Sequence, residues 1–333
     1  MLQSCEKTGV IPAPFIKGIY TADPSAHVFN GKIYIYPSHD KGQDAVSNDT
    51  GDQYDMEDYH IFSCDDVYSP VIDHGIALHV KDVPWASKQM WAPDAAYKNG
   101  KYYFYFPAKD KNEIFRIGVA VSDKPEGPFT PEKEPIKGSF SIDPAVFTDK
   151  DGSSYMYFGG LWGGQLERWQ TGSYVPDAQG PAFNENALGP RVAKMKDSMT
   201  EFDGEVKEIV ILDETGKPLK AHNTTKRFFE GVWMHRYKDT YYLSYSTGDT
   251  HFLVYATASN PYGPFTYRGK ILEPVKGWTT HHSIVEFKGN WFLFHHDAAL
   301  SGADNKRSVQ VKELAYNKDG TIQTIKPYQT ASK

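Results

Sequence analysis

"YTADPSAHVFNGKIYIYPSHD", residues 20–40, decides how the rest of the chain reads. An apolar alternating stretch runs into Asn30-Gly31 and then into a tyrosine-rich run. Asn-Gly between such stretches is the strongest short-range sign of a β-hairpin. The pattern returns four more times. The aromatic runs are "KIYIYPSH" from Lys32, "KYYFYFPA" from Lys101, "SSYMYFGG" from Ser153, "TYYLSYST" from Thr240 and "NWFLFHHD" from Asn290. Each follows a turn signal: Asn30-Gly31, Asn99-Gly100, Asp151-Gly152, Lys238-Asp239 and Gly289. "YHIFSC", "RIGVAVSD", "QLERWQ", "FLVYATAS" and "RSVQVKEL" read as the third strands. "SDKPEGPF" from Ser122 and "ASNPYGPF" from Ala258 are near copies of one another. Repeats of roughly fifty residues with about four strands each indicate a β-propeller. The expectation is an all-β, five-bladed β-propeller, with a two-sheet sandwich as the alternative. Residues 1–17 read as an N-terminal tail and 18–333 as a single five-bladed propeller domain. Residues 171–218 read as a long loop with weak strands, and no long helix is expected.

Composition agrees. Of 333 residues, 14% are aromatic, with 22 Tyr, 19 Phe, 28 Gly and 21 Pro. Aromatic strands broken by Gly and Pro belong to all-β folds. The net charge is −6 and no basic patch stands out, so nucleic acid is not an expected partner. The two cysteines, Cys5 and Cys64, supply neither a disulfide framework nor a metal-binding spacing. No apolar run is long enough for a membrane span. "LQSC", residues 2–5, is similar to the end of a bacterial lipoprotein signal. An extracytoplasmic location is the expectation drawn from it.

The innermost strands of a propeller line its central channel, so residues just ahead of each hairpin can converge there. Those places hold Asp23 in "ADPSAHVF", Trp91 and Asp94 in "MWAPDAAY", Asp143 in "SIDPAVF", Glu230 in "FFEGVWMHRY" and His282 in "THHSIVEF". Asp before Pro is also ordinary turn chemistry. Glu230 lies between "RFF" and "GVW", where a charge is costly unless paired. Three acids around one channel suit sugar hydrolysis. One protonated carboxyl serves the leaving oxygen and a second, ionised one serves as base or nucleophile. A third raises the acid's pKa by like-charge repulsion.

Together the five segments "YTADPSAHVFNGKIYIY", "WAPDAAYKNGKYYFYF", "SIDPAVFTDKDGSSYMYFGG", "FFEGVWMHRYKDTYYLSYSTG" and "HHSIVEFKGNWFLFHHD" resemble the successive blades of glycoside hydrolase family 43. The resemblance runs from about residue 18 to 325. It implies an inverting hydrolase with Asp23 as general base, Glu230 as general acid and Asp143 as pKa modulator. Inversion leaves room for a water, which implies roughly 6.5–9.5 Å between the Asp23 and Glu230 carboxyls. It further implies Trp91 as a wall of the sugar pocket, with Asp94 beside it, and Arg307 as a contact to substrate hydroxyls. It implies a channel cation, often calcium, at His282 or else His281, with waters completing the shell because calcium prefers oxygen. No organic cofactor is implied. His235 is expected to pack within its blade.

"SHDKGQDAVSNDTGDQYDMEDYHIFSCDDV" and "YFGGLWGGQLERWQ" resemble the exo-acting β-xylosidase and α-L-arabinofuranosidase branch. A long loop can wall off one end of a cleft. The first segment also reads as a flexible solvated loop, or as a second metal site without EF-hand spacing. β-D-Xylopyranose and α-L-arabinofuranose present similar stereochemistry at the reacting carbon, so one pocket can accept both. β-Xylosidase is favoured on xylo- or arabino-oligosaccharides, with α-L-arabinofuranosidase or endo-arabinanase as the alternative. A noncatalytic carbohydrate-binding propeller would not need all three acids. A protein-interaction propeller would carry Trp-Asp repeats. A retaining transferase would hold its carboxyls about 5–5.5 Å apart.

Overall fold

The computed structural model describes residues 10–42 and 46–327. "LQSC" and Cys5 lie outside these, as do residues 43–45 of the acidic loop. Alternating side chains and tight turns give five sheets in chain order, antiparallel except for one short parallel pair at the edge of the fourth. Blade one is β1 (Tyr20–Phe29), β2 (Lys32–Asp40), β3 (Asp58–Cys64) and β4 (Ile72–His79). Blade two is β5 (Ala86–Lys88), β6 (Asp94–Lys98), β7 (Lys101–Asp110), β8 (Phe115–Ser122) and β9 (Thr130–Pro131). Blade three is β10 (Ala145–Thr148), β11 (Ser154–Phe158), β12 (Arg191–Lys194) and β13 (Lys207–Glu208). β14 (Ile211–Leu212) joins the outer edge of blade four, built from β15 (Glu230–Tyr237), β16 (Thr240–Ser246), β17 (Leu253–Ala258) and β18 (Phe265–Leu272). Blade five is β19 (His282–Phe287), β20 (Asn290–Asp297) and β21 (Ser308–Leu314). All five expected hairpins form. Among the described residues the only helices are short 3-10 turns. None is long and apolar enough to cross a membrane.

The core lies between blades. Tyr36, Tyr59, Phe104 and Phe106 fill the space between blades one and two. Tyr105, Ile117, Met156 and Phe158 do so between two and three. Tyr157, Val192, Leu243 and Val254 join three to four, and Tyr255, Ile271, Ile284 and Leu293 join four to five. The tyrosines and phenylalanines of the hairpins are therefore inter-blade packing. A sheet that is apolar on both faces must be covered on both, and a ring of sheets does this without open ends.

Two expectations are corrected. "QLERWQ" is not a strand. Leu166–Trp169 is a 3-10 turn, and the third strand of blade three is β12, within the stretch read as a long loop. Four glycines, Gly159, Gly160, Gly163 and Gly164, and a left-handed Trp162 (φ 54°) break the strand pattern just ahead of that turn. The expected tail 1–17 is not all tail. Phe15 and Ile16 are each 2% exposed and pack with Ile33, Phe294 and Val309. Phe15 N donates to Val309 O at 2.8 Å and Thr21 N to Arg307 O at 3.0 Å. Residues 15–21 thus lie against β21 and the residue before it, and close blade five onto blade one.

Candidate active site

A cavity of about 200 Å³ opens at the axis of the ring. Asp23, Asp143, Glu230, Trp91 and Arg307 all line it. The two aspartates share an unusual backbone. Each precedes a proline, and each takes a left-handed φ, 50° at Asp23 and 57° at Asp143. Few residues other than glycine adopt this, though Asp tolerates it better than most. At Asp23 the β1–β2 register slips between Ala22 and Ser25. At Glu230 the β15–β16 register slips between Glu230 and Trp233. Such bulges re-aim a side chain that regular alternation would bury in a blade.

Asp23 is 5% exposed and held from three sides. Ser38 Oγ donates to its Oδ2 at 2.6 Å and Arg307 Nη1 to its Oδ1 at 3.1 Å. Its own N–H donates to His296 Nδ1 at 2.9 Å. With Nδ1 accepting, the His296 proton sits on Nε2, 3.0 Å from the Thr279 carbonyl. Burial alone would raise the Asp23 carboxyl. The Arg307 charge, with His296, His281 and the Ser38 hydrogen bond, outweighs this and lowers it to about 2. Asp23 is therefore an ionised carboxylate across the working pH range.

Glu230 has the opposite environment. Burial, then the Asp23 charge, pushes its carboxyl up to about 8 against the opposing effect of Arg307. Asp143 is also raised well above the ordinary range, by burial first and then by Glu230 and Asp23. The Gly231 N–H, donated to Asp143 Oδ2 at 2.8 Å, favours the ionised form. Two buried like charges cannot both form cheaply, so this pair retains a proton at neutral pH.

Arg307 lines the cavity, but its donors face protein. Nε and Nη2 grip Asp40 bidentately at 2.8 Å each, and Nη1 reaches Asp23 and Thr279 Oγ1. Nη2 also lies 3.9 Å from Met56 Sδ. Its role in this structure is to hold Asp23 and Asp40 in place. Asp94 does not line the cavity, a correction to its expected place in the sugar pocket. It is fully buried, accepts from Ser25 Oγ and the Val146 N–H, and lies 2.7 Å from His27 Nε2. It ties blades one, two and three together near the axis. His282 does not line the cavity either. It is fully buried with Nε2 2.6 Å from Ser244 Oγ, while its Nδ1 has no protein partner. His281 does line the cavity, with Nε2 3.9 Å from Asp143 Oδ2. His235, expected to pack within its blade, lies instead between blades four and five: its ring packs on Tyr242 and on Trp291 of β20, and its Nε2 is bonded at 2.6 Å to the OH of Tyr316, which follows β21.

Aromatic rings make the walls. Trp91 packs on Phe115 and on Tyr54, to whose carbonyl its Nε1 donates at 2.8 Å. Trp162, Phe229 and Trp278 form a second group, with ring centroids 5.0 to 5.8 Å apart. Trp162 is 43% exposed, so its face is open to a ligand. Sequence reasoning missed Trp162 because it stands in a loop after a hairpin, and Trp278, just ahead of β19, because the histidines after it carried the reading of that stretch. It missed Ser38, Asp40 and His296 because they sit in tyrosine-rich runs that looked like plain strand. The segment 46–56 closes one side, with Ser47, Asn48, Asp49, Gly51, Gln53, Tyr54 and Met56 against the cavity. It is built, not loose. Asn48 Oδ1 accepts from Thr50 N and Asp52 N, and Gln89 Nε2 donates to Gly51 O.

An ionised carboxylate and a protonated carboxyl, buried together in an aromatic cavity, suit the cleavage of glycosidic bonds. The fold and the pair define a glycoside hydrolase. The chain belongs to the glycosyl hydrolases family 43, whose family model matches residues 11–322. It is 67% identical to Xylosidase/arabinosidase 43A of Humicola insolens, over 95% of this chain and 99% of that one. It is 58% identical to a xylosidase/arabinosidase of Bacteroides ovatus, over 93% and 96%. It superposes, with a TM-score of 0.95 and 61% identity over 96% and 99%, on CoXyl43. That protein is a β-xylosidase/α-arabinofuranosidase from a compost microbial metagenome, solved with xylotriose in a calcium-free form.

Proposed function

We propose that the protein is an exo-acting, inverting β-xylosidase with α-L-arabinofuranosidase activity on xylo- and arabino-oligosaccharides. The observation that carries this is the split of the two carboxyls, one lowered to about 2 and the other raised to about 8 within one cavity. Asp23 takes a proton from a water that attacks the anomeric carbon. Glu230 gives its proton to the leaving glycosidic oxygen. Water's oxygen forms the new bond as the old C–O bond breaks, and the configuration inverts. Asp143 shares with Glu230 the one proton that the pair retains, and ionised Asp143 favours that proton on Glu230. The closed side formed by 46–56 supports removal of one terminal sugar at a time. Relatives named for both sugars support dual specificity.

A channel cation fits at His282 in part. Its buried Nδ1 is unpartnered, but a nitrogen is a soft donor for calcium, so water must supply the remaining ligands. When bound, such an ion would supply positive charge that favours the ionised carboxylates. An extracytoplasmic location is proposed from "LQSC" alone. Initial rates on 4-nitrophenyl β-D-xylopyranoside and α-L-arabinofuranoside test the main reading, with Asp23→Asn and Glu230→Gln beside the parent. Turnover of both, abolished by Asp23→Asn, is expected. Undiminished turnover by Asp23→Asn sinks the assignment of the base. The anomer released first, followed by NMR, tests inversion.

A further inference from the structure

We propose that His39, Asp58 and His60 form a transition-metal site, suited to Zn2+, that clips together the two strands from which the cavity wall at 46–56 departs. β2 and β3 pair antiparallel with Ile33 opposite Cys64 and Ile35 opposite Phe62. The same register carried toward the loop sets His39 opposite Asp58. His60 is two residues further along β3, and residues two apart share a face. One potential ligand atom from each of the three lies within 4.8 Å of the others. The His39 and His60 ring centroids are 5.1 Å apart.

The donor set is selective. Two imidazoles and one carboxylate are zinc-type ligands, with a fourth position left to water. Calcium would find a single oxygen donor here. The side chains of His39 and His60 are 19% and 16% exposed, so an ion has a way in. A supporting carboxylate is present as well. His60 Nδ1 lies 3.0 and 3.1 Å from the two oxygens of Asp73. That contact places the proton on Nδ1 and leaves the Nε2 lone pair for a metal, the usual arrangement behind a ligating histidine. Without an ion, His39 Nδ1 and Asp58 Oδ1 bond at 2.6 Å.

The location gives the site a consequence. His39 stands between Ser38 and Asp40, whose side chains hold Asp23 and Arg307. Alternation places His39 on the other face of β2. Met56, which lines the cavity, is two residues ahead of Asp58. An ion bridging β2 and β3 therefore fastens both stems of the wall from outside the cavity.

The test is a calorimetric titration of zinc chloride into chelator-treated protein with calcium in excess, so that any channel cation site is already filled. The parent and His282→Gln are expected to take up one equivalent of zinc. His60→Gln is expected to take up none, and Asp73→Asn to bind roughly 10–100-fold more weakly. No zinc uptake by the parent overturns the site, as does equal uptake by the parent and His60→Gln. Hydrogen exchange of 46–56 in the parent, expected to slow on zinc addition, tests the clip. Zinc binding with unchanged exchange there overturns it.

Discussion

Arg307 sets the chemistry at the scale of single residues. Its charge holds Asp23 ionised, and the Asp23 charge in turn helps keep Glu230 protonated. Two experiments follow from this ordering. The rate constant kcat/KM is expected to fall as pH rises through about 8, where Glu230 loses its proton. Asp143→Asn removes a neighbouring like charge, so the alkaline limb should move down by roughly one pH unit. An unmoved limb would contradict the modulating role. Glu230→Gln should reduce turnover of natural oligosaccharides by about 10²–10⁴-fold, and less on aryl glycosides whose leaving groups need little protonation. The same variant should be more stable than the parent at neutral pH. A carboxyl whose folded pKa is raised stabilises the fold least above that pKa. Between the unfolded value and about 8 the native state binds the extra proton, so stability falls as pH rises. Gln is free of that cost, a gain on the order of 1–3 kcal/mol at pH 7. Denaturant unfolding of both proteins at pH 5 and 7.5 measures it. A gain no larger at pH 7.5 than at pH 5 would argue against a buried, protonated Glu230.

The cavity wall 46–56 is the decisive element. Gly51 has φ 75°, and a Cβ built there would lie 2.4 Å from the Trp91 ring. Glycine is needed both for the left-handed turn and for the approach of the indole. Gly51→Ala should displace Trp91 and raise KM for 4-nitrophenyl β-D-xylopyranoside on the order of 10-fold, at a stability loss of about 1–3 kcal/mol. A raised KM with an unaltered kcat would place the effect on sugar binding. The Asp-rich composition of this stretch reads as solvated loop. The fixed turn comes from Asn48 accepting two backbone N–H groups and from Gln89 reaching over from the next blade.

Ring closure is the problem of the whole molecule. Phe15 and Ile16 pack between blades one and five, and Phe15 hydrogen-bonds along β21. Phe15→Ala is expected to cost about 3–5 kcal/mol, the usual price of emptying a buried aromatic site. Chemical denaturation measures it. A loss below 1 kcal/mol would show that the ring closes without this segment. Asp94, buried among blades one, two and three, fastens the axis from the inside.

The hairpins and the blade count were legible in the sequence because they depend on local physics. Asn-Gly and Asp-Gly turns and alternating aromatics act over a few residues, and they recur. The three acids were legible too, since Asp23, Asp143 and Glu230 each break an apolar pattern just ahead of a hairpin. Their protonation states were not. Those depend on Arg307, which lies 284 residues from Asp23 in sequence, and on the burial that five blades create together. The His39–Asp58–His60 cluster needs only the pairing of β2 with β3 inside blade one, whereas Trp162, Trp278 and His296 come from different loops and strands, with no spacing to connect them. Only the closed ring brings them together, because a side chain's field and contacts depend on distance in space.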